Sequence, residues 1–168
     1  MKIALMLMTC AATAAGGQAA AQGPTLADAM LAGHNRERAQ VGVPGLGWDP
    51  RLAAAAAAYA RQLARLGRLE HATREARAGA GENLARGTQG FYSAAALAQG
   101  WAAEKAIFVN GIFPNVIRAD ARGAVGHYTQ MVWRSTTSVG CGTASDGRDL
   151  YLVCRYSPPG NVLGRPVF

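Results

Sequence analysis

Apolar positions near the start of the chain recur at helical spacing. Leu26, Met30, Leu31 and His34 follow Thr25-x-x-Asp28 at intervals of about one turn, so the pattern predicts a capped amphipathic helix that closes at Gly42. A loop through Val43-Pro44-Gly45-Leu46-Gly47 leads to Asp49-Pro50, where the acid caps and the proline opens a second helix. That helix carries Leu52, Tyr59, Leu63 and Leu66 and stops at Gly67; its alanine run, 53–58, favours helix and offers a thin face for close packing. Residues 68–90 show no period and many Gly and Arg, and are read as a long irregular connection. Ser93 caps a third helix containing Leu97, Trp101, Glu104 and Phe108, and residues 110–126 form another loop. Residues 127–133 are too short and mixed to assign by period. The final pattern is a hairpin, with 139–143 and 150–156 flanking Ser145-Asp146-Gly147-Arg148. Leu150, Leu152, Cys154 and Tyr156 share one strand face. Helices first and a hairpin last predict an α+β domain.

The extreme N-terminus follows a different rule. Lys2, an apolar run over 3–15 and Ala19-Ala20-Ala21 read as a secretory signal peptide, 1–21, with the mature domain at 22–168. The run is too short to span a bilayer, and Cys10, lying inside it, does not sit where a lipoprotein anchor is cut. Export changes the cysteine arithmetic: Cys141 and Cys154 remain, and two cysteines in an oxidising compartment predict a disulfide, the alternative being two buried thiols. For the two to face each other, the hairpin must turn between Gly147 and Arg148.

Composition then narrows the function. The net charge is +7, and +6 once Lys2 is lost, which favours anionic cell-wall or membrane surfaces without naming one. The alternative is simply a solvated, arginine-rich face. Aromatic residues make up 7% of the chain, too few to favour base stacking, so no nucleic-acid partner is expected. Gly-x-Ser-x-Gly, phosphate-loop, His-Glu-x-x-His and Cys-x-x-Cys motifs are all absent. Three histidines remain to be weighed. His34, on a helix, reads as a structural histidine, whereas His71 and His127 sit near element ends, where functional groups concentrate. Glu82 lies in Gly81-Glu82-Asn83-Leu84, and Glu104 shares a helix face with Trp101, where an inward carboxylate requires a partner.

These motifs carry a resemblance. Residues 126–134, Gly-His-Tyr-Thr-Gln-Met-Val-Trp-Arg, resemble the first signature of the CAP superfamily, which holds the cysteine-rich secretory, antigen 5 and pathogenesis-related 1 proteins. Residues 151–161, Tyr-Leu-Val-Cys-Arg-Tyr-Ser-Pro-Pro-Gly-Asn, resemble the second. His34-Asn35 with Arg38, Gly45-Leu46 through Trp48-Asp49, the Gly-Glu-Asn-Leu motif and Trp101-x-x-Glu104 fall in the same order. The resemblance implies a three-layer α-β-α sandwich with a small, mainly antiparallel sheet, and a short helix starting at His127. It also implies that His71, Glu82, Glu104 and His127 converge in one solvent-filled cleft. The segment from His71 to Glu82 looks longer and more arginine-rich than in plant members, and only one disulfide is possible.

Two neutral imidazoles suit zinc or another divalent cation, with His71 and His127 as ligands and Glu82 and Glu104 in support. Protonated imidazole cannot ligate, so occupancy is expected to fall in acid. The alternative is a metal-free cluster of ion pairs. Three functions follow from the resemblance. The leading one is a secreted, non-enzymatic binding module with a groove for a lipid or sterol-like ligand. The others are a metal-dependent hydrolase using Glu82 and Glu104, and an extracellular interaction or defence factor.

Overall fold

The computed structural model describes residues 24–168, so the signal-peptide reading and Cys10 lie outside the described residues. The first helix, α1 (Leu26–Gln40), opens as its sequence dictates: the Thr25 side chain accepts from the Asp28 backbone, and the Asp28 side chain answers at the Thr25 backbone. A two-residue strand, β1 (Gly47–Trp48), precedes α2 (Pro50–Leu66), which Asp49 caps and Gly67 ends with a left-handed φ of 67°. The edge strand β2 (Gly81–Thr88) is followed by α3 (Ala94–Ala103), capped by Ser93, and a 3-10 turn over Glu104–Ile107. The short α4 (Gly126–Val132) leads into β3 (Ser138–Ser145) and β4 (Asp149–Ser157).

The sheet runs β1-β3-β4-β2, antiparallel except for the β1–β3 pair. Cys141 stands opposite Cys154 in the β3–β4 register and is bonded to it, so the hairpin turns where the spacing required. One face of the sheet carries Leu84, Tyr151 and Val153 against Ala56, Ala60 and Leu63 of α2. The other carries Val139, Leu152, Cys154 and Tyr156 against Met30, Trp101 and Met131 of the remaining helices. Helices thus cover both faces, and the molecule is an α-β-α sandwich.

The alanine run acquires its reason here. A Cβ on Gly140 would overlap the Ala53 backbone, and one on Gly142 would overlap Ala57. Glycine on β3 and alanine on α2 therefore let helix and strand approach backbone to backbone.

Two readings of the pattern need correction. Residues 68–90 are not irregular throughout: 81–88 form β2, hydrogen-bonded to β4 along its whole length. This strand hides because only its first half is buried, so Ala85, Arg86, Gly87 and Thr88 give no apolar alternation. The third helix also ends before Phe108: after Ala103 the chain tightens into a 3-10 turn. β1, too short for any period, was not foreseen.

Candidate functional site

Each candidate glutamate meets a histidine. Glu82 sits near the start of β2, opposite Arg155 of β4, so register places its carboxylate on the α2 face of the sheet beside a guanidinium. Its Oε2 lies 2.9 Å from Arg155 Nε, and both side chains are buried. Burial pulls the Arg155 guanidinium down, while the Glu82 charge acts the other way. Arg155 also lies over the Tyr59 ring of α2, 5.1 Å from its centroid. Glu82 Oε1 accepts from His71 Nδ1 at 2.7 Å and from the Ala72 backbone at 3.1 Å. His71 stands in the coil after α2 with its side chain 58% exposed, on a groove of ≈ 460 Å³ that Tyr59, Gln62 and Glu70 also line.

The second pair is built on helix ends. Glu104 opens the 3-10 turn, and its Oε2 accepts from the backbone N–H groups of His127 and Tyr128, both at 3.0 Å. Gly126 has no side chain and the residue before it, Val125, supplies no cap, so this distant carboxylate satisfies the start of α4. Its Oε1 accepts from His127 Nδ1 at 2.6 Å. The imidazole stacks on Trp101, centroids 5.8 Å apart and planes 18° from parallel. Trp101 is fixed in turn by its indole N–H, which donates to the Leu84 carbonyl of β2 at 3.2 Å.

A buried network holds the second pair to the sheet. Asn83 Nδ2 donates to the His127 carbonyl and to the Tyr156 hydroxyl, both at 3.1 Å. The Tyr156 hydroxyl donates to His34 Nε2 at 2.8 Å, because His34 Nδ1 already donates to the Met30 carbonyl. Burial pushes the His34 pKa down to about 4 and that of Tyr156 well above its ordinary range. His34 is thus the structural histidine its helix position suggested. Arg38, also buried, donates to the carbonyls of Pro44, Met131, Trp133 and Thr136 and so clamps the far end of α4. Asn83, Tyr156, Arg38 and Arg155 carry the site's architecture without having been singled out. Their signal was present in the second signature and the supporting motifs, but only the folded chain shows what each meets.

The four candidate residues therefore stand as two acid–imidazole pairs, tied to the successive residues Glu82 and Asn83 of β2. In both pairs the carboxylate engages Nδ1, which leaves Nε2 as the open ring nitrogen. Glu104 accepts hydrogen bonds on both oxygens, whereas Glu82 accepts on Oε1 and sets its Oε2 beside the Arg155 charge. Among the described residues, no group of three or more His, Cys, Asp and Glu is arranged to hold a metal ion.

Residues 31–156 match the family described as CAP: Cysteine-rich secretory protein family. The chain belongs to the CAP family. It is 42% identical over 137 residues to pathogenesis-related protein 1C of Nicotiana tabacum, covering 80% of this chain and 76% of the relative. It is 39% identical over 129 residues to pathogenesis-related protein 1 of Arabidopsis thaliana, covering 76% and 73%. Among solved structures it resembles NaASP2 with Zn2+ at a TM-score of 0.67 and 23% identity, covering 83% of each chain. It also resembles BmVAL-1 at 0.66 and 21%, covering 93% of this chain and 86% of that one. These structures bear out the sandwich fold.

Proposed function

We propose that this CAP-domain protein is an extracellular, non-enzymatic binding module whose two carboxylate-oriented imidazoles take a divalent cation through Nε2. The observation that carries the reading is the common orientation of His71 and His127: each donates Nδ1–H to a glutamate and keeps its other nitrogen free. A carboxylate behind an imidazole fixes its tautomer and raises its basicity as a ligand. Neutral nitrogen donors suit zinc or a similar borderline cation. Glu82 and Glu104 support rather than ligate, since their oxygens are committed to Arg155 and to backbone N–H groups. With only two protein donors, water would complete the coordination, and the affinity is modest.

The same commitment favours binding over hydrolysis. A general base must face the water it activates, and each carboxylate here is turned to protein groups: Glu82 to His71, the Ala72 N–H and the Arg155 charge, Glu104 to His127 and the Tyr128 N–H. The disulfide and the family's secretory description support an extracellular setting. For a lipid ligand, the groove between α1 and α3, lined by Ala29, Met30, Gly33, Ala95, Ala98 and Met131, offers ≈ 160 Å³, room for a short stretch of alkyl chain and not for a whole sterol.

Calorimetric zinc titration tests the cation reading. His71→Ala and His127→Ala should each weaken binding about tenfold or more. Unchanged affinity in both variants removes the site.

A further inference from the structure

Four arginines lie around one apolar ridge, none of them within ion-pair distance of a carboxylate among the described residues, although Glu75 lies close enough to Arg74 and Arg77 to feel both charges. Arg74 and Arg77 line a groove of ≈ 450 Å³ between the turn leading into β2 and the segment after β4. Arg134 and Arg165 line a neighbouring groove of ≈ 370 Å³, and Val162 borders both. Seven other basic side chains pair with acids within 4.0 Å, but among the described residues none of these four does. Arg77 is half-buried on this wall, its Nε turned inward without a protein acceptor. The one acid on the wall, Glu82, is answered by Arg155 and His71.

The rest of the surface is built to receive a body, not just a charge. Val162, which borders both grooves, is 42% exposed, and Leu163, on the Arg74/Arg77 groove, is 74% exposed. The floor is fixed: the Gly160 N–H donates to Gln130 Oε1 at 2.9 Å, and a side chain on Gly81 or Gly160 would collide with the Gln130 amide. A ligand with a single charged head would leave one arginine pair unanswered. A rod of separate anions with apolar faces between them answers both.

We propose that the two grooves form one continuous site for an acidic oligosaccharide, its uronate carboxylates on Arg74/Arg77 and Arg134/Arg165 and its C–H faces on Val162 and Leu163. Guanidinium forks match carboxylates bidentately. The inference rests on the extracellular-module reading but uses neither histidine, so it and the cation site fail separately.

Calorimetric titration with oligogalacturonate, and with its fully methyl-esterified form as a neutral twin, provides the test. The acid form should bind, with affinity falling as salt rises, and the ester should bind at least tenfold more weakly. Arg74→Gln/Arg77→Gln and Arg134→Gln/Arg165→Gln should each weaken binding about tenfold, and Leu163→Ser by a smaller factor. Unchanged thermal midpoints show that the variants fold, and Arg77→Lys should retain part of the affinity that Arg77→Gln loses. His127→Ala should bind the oligosaccharide as the parent does, whatever its zinc affinity. Equal binding of acid and ester, or arginine variants indistinguishable from the parent, overturns the proposal. Arginine-dependent capture by phosphatidylglycerol vesicles, with oligogalacturonate ignored, overturns it in favour of a membrane surface.

Discussion

The two histidine–glutamate pairs use the same contact and hold it by opposite means. In the His71 pair the acid is the fixed partner: Glu82 is fully buried by its side chain and neutralised by Arg155, while the imidazole stands out from a coil. In the His127 pair the whole unit is braced, with the imidazole 35% exposed, stacked on Trp101, and its helix start bonded to Glu104. The contrast separates two jobs. Glu82 makes it possible to bury an arginine between sheet and helix, and Glu104 stands in for a missing helix cap. Orienting an imidazole is in both cases an added use of a carboxylate that folding already requires.

That reading predicts a graded series. Glu82→Ala strands the buried Arg155 guanidinium and should cost about 3–5 kcal/mol, the range for breaking a buried ion pair from one side. Chemical denaturation measures it, and a loss below 1 kcal/mol would mean that water already reaches Arg155.

The next effect probes the brace behind His127. His34 is held neutral by burial, with a pKa of about 4 when folded against about 6.5 in the unfolded chain. The unfolded state therefore binds more protons as pH falls from 6.5 towards 4, and stability declines across that window by up to about 3 kcal/mol. His34→Gln should lower stability at neutral pH and flatten the slope. A parent protein equally stable at pH 6.5 and 4.5 would contradict the burial of a neutral imidazole.

Glu104→Ala leaves two backbone N–H groups at the start of α4 without an acceptor and should cost about 2 kcal/mol. Glu104→Gln, which keeps an acceptor, should cost less. The smallest effect is the sharpest for the comparison. His71→Ala should change stability by less than about 0.5 kcal/mol because the ring is mostly exposed, and His127→Ala by about 1 kcal/mol through the lost Trp101 stack. Thermal melts of the pair, read beside their zinc titrations, distinguish a binding group from a structural one. Equal losses would erase the distinction between the two pairs.

The candidate site was legible in part. The four residues could be named from their motifs, and Glu104 could be said to need a partner because it shares a face with an inward tryptophan. Glu82 is harder to place, since the strand carrying it is buried only in its first half and its pattern reads as loop. The pairing of His71 with Glu82 crosses 10 intervening residues of coil and turn, and that of His127 with Glu104 crosses 22. Local spacing constrains neither distance. The network through Asn83, Tyr156 and His34 spans still more of the chain and exists only where α1 lies against the sheet.

What the chain determined by itself is whatever acts over a few residues. The caps at Thr25, Asp49 and Ser93, the stop at Gly67, and a hairpin whose length aligns Cys141 with Cys154 all follow from local backbone geometry and hydrogen bonding. Tertiary structure decided which charge meets which. Strand register set Glu82 against Arg155, and close packing set Glu104 at the start of α4. It also left Arg74, Arg77, Arg134 and Arg165 on adjoining grooves, none within ion-pair distance of an acid among the described residues. A burial cost or an unanswered charge depends on neighbours that only folding brings near, and no interval along the sequence encodes them.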